Sequence, residues 1–237
     1  MTKRTVVSLY DYTGEALRPW AEAGYTCHAF DIQHDNSTRW DFKGGGSVEF
    51  RHADLHNFPL LVSLANVLLD QNVVFGMGFP VCTDLAVSGA AHFKRKAEVD
   101  PDFQTKAATY ARWCGEFFNV LDVPYFVENP VSRLATLWRK PDYTFHPYEY
   151  GGYIPDGQEE HPKWPEYIAA RDAYPKKTCL WTGGGFKMPE TKPVPVGEGY
   201  SKQHLKLGGK SMKTKNIRSA TPRGFARAVF EANKMEE

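Results

Sequence analysis

A chain of 237 residues is long enough to bury a full α/β sheet in one main domain, with room for a small lobe. Its 29 Lys and Arg stand against 28 Asp and Glu, so global charge announces no nucleic-acid partner and any such surface must be local. Four cysteines, Cys27, Cys82, Cys114 and Cys179, lack CxxC spacing, which argues against a disulfide framework or zinc knuckle and fits a reducing cytoplasm.

Residues 1–5 run straight into a strand-like segment and no stretch approaches ~18 apolar residues, so neither an export signal nor a membrane span is expected, and a cytoplasmic location follows. Residues 6–10 read as a buried strand, 15–23 as a helix closed by Gly24, and 25–30 as a second strand ending at Asp31, together a βαβ unit. Residues 47–53 suit a third strand, 60–69 are apolar at helical spacing, and 72–77 form a continuous apolar run suited to a central parallel strand. Asp100-Pro101-Asp102 reads as an N-cap with proline at the first helical position of a long helix over 103–121, and 123–127 is the next strand. Strands alternating with helices predict a parallel sheet covered on both faces, with ligands at the carboxyl ends of its strands. Gly76-Met77-Gly78 is not expected to cradle phosphate, because no helix follows at the needed spacing.

From about residue 140 the texture becomes rich in Pro, Gly and Tyr with little periodicity, which predicts a loop-rich lobe. Residues 201–218 carry Lys202, Lys206, Lys210, Lys213, Lys215 and Arg218 and no acid, a composition that suits either a solvated loop or a phosphate-contacting segment. Thr221-Pro222 is expected to cap a last amphipathic helix burying Phe225, Val229 and Phe230. His146, His161, Cys179 and His204 offer no pair at zinc spacing, and no metal is expected.

The strand ends carry, in order, Asp11-Tyr12-Thr13-Gly14, Asp31, Asp54-Leu55, Phe79-Pro80-Val81-Cys82 and Glu128-Asn129-Pro130. This ordered set resembles the cytosine-C5 DNA methyltransferases, over roughly residues 5–140 and again at the helix from Thr221. The run Cys82-Thr83-Asp84-Leu85-Ala86-Val87-Ser88-Gly89 looks like a short, phage-type branch of that family. The resemblance implies a Rossmann-like S-adenosylmethionine-dependent methyltransferase fold, α/β with a mostly parallel doubly wound sheet and a small loop-rich lobe. On that reading residues 1–140 bind cofactor and catalyse, 141–217 recognise the target, and 218–237 form a helix returning to the catalytic domain.

By the same resemblance, the Cys82 thiolate adds to C6 of cytosine, so that C5 becomes an enamine-like carbon able to take the methyl group of S-adenosyl-L-methionine. Glu128 shares a proton with N3 and holds the 4-amino group, and Asn129 positions the Cys82 loop. A following helix or a nearby cation would lower the thiol's pKa. The turn Tyr10, Asp11, Tyr12, Thr13, Gly14 approaches the cofactor closely. Asp31 grips ribose hydroxyls, Asp54 accepts from the adenine amino group, Ile32 and Leu55 supply apolar walls, and Phe79 and Pro80 complete the pocket. Two departures stand out. Val81 separates Pro80 from Cys82, where the family has proline directly before cysteine, and no Gln-x-Arg-x-Arg element is present; Lys177 stands where its cations are expected. The implied substrate is DNA, duplex or single-stranded, and aromatics such as Trp164 and Trp181 could fill a vacated stack. The same chemistry on RNA or a free deoxycytidine nucleotide is one alternative; a catalytically silent binding protein is another. No obligate protein partner is evident.

Overall fold

A computed structural model describes residues 3–197, 202–208 and 211–235; Ser201 and Lys210 of the basic segment lie outside the described residues. In chain order the elements are β1 (Thr5–Leu9), α1 (Arg18–Glu22), β2 (Thr26–Asp31), β3 (Arg39–Asp41), β4 (Ser47–His52), α2 (Phe58–Leu69) and β5 (Val73–Gly78). There follow α3 (Phe93–Val99), α4 (Phe103–Val120), β6 (Tyr125–Pro130), α5 (Leu134–Leu137), β7 (Tyr143–Phe145), β8 (Thr178–Gly183), α6 (Lys202–Lys206), α7 (Met212–Ser219) and α8 (Arg223–Asn233). Short 3₁₀ turns occupy Val87–His92, Pro147–Tyr153 and Ala170–Asp172.

The strands form a single eight-stranded sheet in the order β3-β4-β2-β1-β5-β6-β8-β7. β4, β2, β1, β5 and β6 pair in parallel, while β3, β8 and β7 join antiparallel. This mixed α/β arrangement is compatible with a Rossmann-like fold. The chain runs outward from β1 on one side and resumes with β5 on the other, so the strand order reverses between them and leaves a crevice at their carboxyl ends.

Side-chain alternation splits the core into two layers. From β1, Val7 and Leu9 join Leu61, Ala65 and Leu68 of α2 and Ala107, Ala111 and Phe118 of α4. Val6 points the other way and joins Trp20 of α1 and Phe225 and Val229 of α8. Gly76 of β5 is needed for the first layer, because a Cβ there would lie 2.2 Å from the Phe118 ring. In the second, Phe145 of β7 stacks on Phe225 at 3.9 Å and Phe230 meets Trp20 edge-on at 5.1 Å. The last helix therefore returns to the sheet. The boundary expected at residue 140 does not divide that sheet, since β7 and β8 arise from residues 141–217 and supply buried Phe145, Leu180 and Trp181.

Local capping differs from expectation at two helices. α3 ends at Asp100, whose carboxylate accepts from Asp102 N–H at 3.1 Å and from Lys106 Nζ at 2.7 Å, so Pro101 lies in a linker and Asp102 caps α4 without a side-chain bond. At α8, neither Thr221 nor Pro222 caps through its side chain; instead Gly224 N–H donates to Asp172 Oδ2 at 3.0 Å. Asp172 is buried, with a left-handed backbone (φ 51°), and burial pushes its carboxyl up to about 6 despite the Gly224 N–H and Arg223.

A carboxyl whose folded value exceeds its ordinary 3.8 holds its proton more tightly when folded, so its favourable contribution is full below pH 3.8 and declines as pH rises through about 6. Asp172→Asn keeps an acceptor for Gly224 and tolerates the left-handed backbone. Chemical denaturation between pH 4 and 7 should therefore show the variant losing less stability with rising pH than wild type, by about 2 kcal/mol; identical slopes would remove Asp172 as the cause.

Candidate active site

Every strand end singled out from the sequence lies on one edge of the sheet, because parallel pairing sets the carboxyl ends of β4, β2, β1, β5 and β6 side by side. The turn after β1 is organised from within. Asp11, 3 % exposed, accepts from Gly14 N–H at 2.8 Å, Thr13 N–H at 3.1 Å, Thr13 Oγ1–H at 3.3 Å and Ser8 Oγ–H at 2.9 Å. Its carboxylate is thus spent on shaping the turn, and burial outweighs these donors to raise its pKa. Gly14 is required twice over: its φ is +68° and a Cβ would meet Phe50 Cζ at 2.7 Å. Tyr10 also has a positive φ (59°), and its hydroxyl donates to the Leu55 carbonyl at 3.0 Å, tying the ends of β1 and β4 together. Tyr12 stacks on His34 with ring centroids 5.9 Å apart, and His34 Nε2 donates to the Asp11 carbonyl at 3.0 Å.

Beyond this turn two acids stand at neighbouring strand ends. Asp31 is 7 % exposed and its Oδ1 accepts from Gln33 N–H at 2.8 Å, whereas Asp54 is exposed and accepts from His56 N–H at 3.1 Å. Both lie close enough to Tyr10 to help burial raise its phenol pKa. Ile32, the residue after Asp31, is 59 % exposed, while Leu55, the residue after Asp54, is buried.

On the β5–β6 side, Phe79 N–H donates to the Leu9 carbonyl at 3.0 Å and Pro80 is buried. Asn129, 1 % exposed, donates from Nδ2 to the Pro80 carbonyl at 3.0 Å, which fixes the loop carrying Cys82 to the end of β6. The loop is held again beyond Cys82, whose carbonyl accepts from Leu85 N–H at 3.0 Å and Ala86 N–H at 2.8 Å. Val81 faces solvent, 48 % exposed. It leaves the Asn129 tether intact, so the loop that proline would stiffen is restrained by hydrogen bonds instead.

Cys82, Glu128 and a lysine converge here. The Cys82 thiol pKa is raised overall, by burial first and the Glu128 charge second, while Lys176, a backbone hydrogen bond and Lys215 pull against it. Burial likewise raises the Glu128 carboxyl, opposed by Lys176. The turn directly after Cys82 is not helical, so no helix dipole serves the thiol, and the charges that favour its thiolate are the two lysines. The lysine that reaches the pair is Lys176, not Lys177. Lys176 Nζ is anchored on the Arg218 carbonyl at 2.8 Å, whereas Lys177 opens onto a neighbouring cavity beside Cys179.

Within the described part of the basic segment, α7 reaches this edge. The Lys215 charge on α7 pulls the Cys82 thiol pKa down, and the next residue, Asn216, donates from Nδ2 to Gln33 Oε1 at 3.1 Å, which docks α7 on the loop after Asp31. Ser211 caps α7 through Thr214 N–H at 3.1 Å, and Ile217 buries the helix against Trp164, Ile168 and Tyr174. Trp164 and Trp181 are themselves buried, which leaves neither to fill a gap in a base stack. Among the described residues, no group of three or more His, Cys, Asp or Glu could hold a metal ion, and no helix is long and apolar enough to cross a membrane. All four cysteines are unbridged.

Lys176→Met should raise the pKa of Cys82, read from the pH dependence of its alkylation rate by peptide mapping, while Lys177→Met should leave it in place; equal shifts in the two variants would contradict the assignment of the cation. Neither a protein-family model nor a curated protein sequence matches this chain.

Proposed function

We propose that the protein transfers a methyl group from S-adenosyl-L-methionine to C5 of cytosine in DNA through a covalent bond between Cys82 and C6. The observation that carries this reading is the meeting of a thiol, a carboxyl of raised pKa and an ammonium group at adjoining strand ends, on the same edge of the sheet as two acids and an exposed isoleucine at the ends of β2 and β4. Those residues fit the cofactor: Asp31 and Asp54 would accept from ribose hydroxyls and the adenine amino group, Ile32 would cover the ring, and the turn Tyr10–Gly14 brings backbone close to the rest. When bound, S-adenosylmethionine supplies an electrophilic methyl group.

The chain's own residues account for the remaining chemistry. Lys176 and Lys215 favour the Cys82 thiolate, which adds its electron pair to C6. Glu128 remains protonated to a higher pH than an ordinary carboxyl and can give that proton to N3 as the ring accepts the pair, so charge develops at C5 rather than on nitrogen. After C5 has been alkylated, its proton passes to solvent, and the thiolate departs as N3 returns its proton to Glu128, which restores the aromatic ring. C6 is shielded inside a duplex, so the nucleotide must be extruded or already single-stranded. The basic α7 over the cleft favours a polyanionic strand as substrate.

DNA containing 5-fluorocytosine should trap an adduct on Cys82, since fluorine cannot leave as a proton does, and Cys82→Ser should lose methyl transfer with cofactor affinity within a few-fold of wild type. An adduct on Cys114 or Cys179, or substantial turnover in the serine variant, would overturn the covalent mechanism. Asp31→Ala should weaken cofactor binding by roughly 1–3 kcal/mol in calorimetry, the cost of an unmade charge-assisted hydrogen bond; unchanged binding would place the cofactor elsewhere.

A further inference from the structure

Beside β6, at the same edge of the sheet, lies a cavity of about 200 Å³ walled in part by Ser132, Ala135, Thr144, Lys177, Cys179 and Trp181. Strand register explains its position. Asn129, Cys179 and Thr144 are partners across β6, β8 and β7, so their side chains share one face of the sheet. The cavity therefore continues the row that begins with the asparagine gripping the nucleophile loop. Its wall is joined to that loop directly: Val87 N–H donates to the Val131 carbonyl at 3.1 Å, Arg133 N–H donates to the Leu85 carbonyl at 3.0 Å, and Ala86 and Ser132 form a β-bridge.

The lining is apolar apart from Ser132, Thr144, the Cys179 thiol and one ammonium group, and it contains no carboxylate. We infer that this cavity seats the nucleobase adjoining the reactive cytosine in a single strand, with Lys177 at the connecting phosphate, an inference that rests on the proposed action on cytosine. Apolar walls suit the faces of a base and hydroxyls suit its hydrogen-bonding edge. A lysine without a competing acid suits a phosphodiester. A base stacked in a duplex could not enter, so the seat selects an unstacked strand. It also gives Lys176 and Lys177 separate tasks, one at the thiol and one at the neighbouring nucleotide.

Ala135 is exposed on α5 at the cavity, so Ala135→Trp fills the space without cutting into the core. Affinities of the trinucleotide dApdCpdA and of dCMP, measured by NMR titration, separate the neighbouring seat from the cytosine site. Wild type should bind the trinucleotide about tenfold more tightly than dCMP, the scale of one extra buried apolar contact. Ala135→Trp should lose that advantage and Lys177→Gln should reduce it, with dCMP affinity and melting temperature held in Ala135→Trp. A trinucleotide affinity insensitive to Ala135→Trp, or no advantage in wild type, would overturn the seat. If the advantage depends on Ala135 but no methyl group is transferred, the seat stands and the methyl-transfer reading falls. Methyl transfer without the advantage removes the seat alone.

Discussion

Parallel pairing of β4, β2, β1, β5 and β6 is the constraint from which the rest of the site follows. Parallel strands point their carboxyl ends to one edge, so residues far apart in the chain meet there without any long-range contact of their own. Asp11, Asp31, Asp54, Cys82 and Glu128 each follow or end a different strand of this set, and all are delivered to that edge by backbone hydrogen bonds. Only short-range devices are then needed to finish the geometry. The Asp11 carboxylate shapes the first turn, the Tyr10 hydroxyl ties two strand ends, and the Asn129 amide holds the loop before Cys82.

Burial and charge act against one another at this edge. Desolvation favours the neutral thiol of Cys82 and the neutral carboxyl of Glu128, and the Glu128 charge adds to the tendency at the thiol. Neutral Glu128 is the form that can donate a proton, whereas neutral Cys82 is the form that cannot attack. Lys176 and Lys215 oppose burial at the thiol without cancelling it, and both depend on neighbouring chain: Lys176 is anchored on the Arg218 carbonyl, and Lys215 rides on α7. The segment following β8 is therefore part of the electrostatics of the site.

Five parallel strands were legible in the sequence because each is a short β-rich run ending at an acid, a glycine or a Glu-Asn-Pro, and the long helices were legible from their period. β3, β7 and β8 were not. The first two are three residues long, and β8 is embedded in Pro- and Gly-rich chain, so their pairing is set by the waiting edges of β4 and β6 rather than by a local pattern. Cys82, Glu128 and Asn129 could be read as a group from their order at strand mouths, and the structure brings them together. The choice between Lys176 and Lys177 could not, because successive side chains diverge and the outcome depends on where β8 begins. Capping of α8 by Asp172 was hidden for a related reason: the cap lies fifty-two residues from Gly224 and no local motif reports it.

In the proposed reaction Cys82 and Glu128 act together on the cytosine ring. Reversible addition of the thiolate to C6, with a proton given to N3, makes the C5 hydrogen exchangeable with water even in the absence of cofactor. Single-stranded DNA bearing tritium at C5 of cytosine should therefore release its label to solvent with the wild-type protein and retain it with Cys82→Ser or Glu128→Gln. Retention of the label by the wild-type incubation, or equal release with Cys82→Ser, would contradict that joint action.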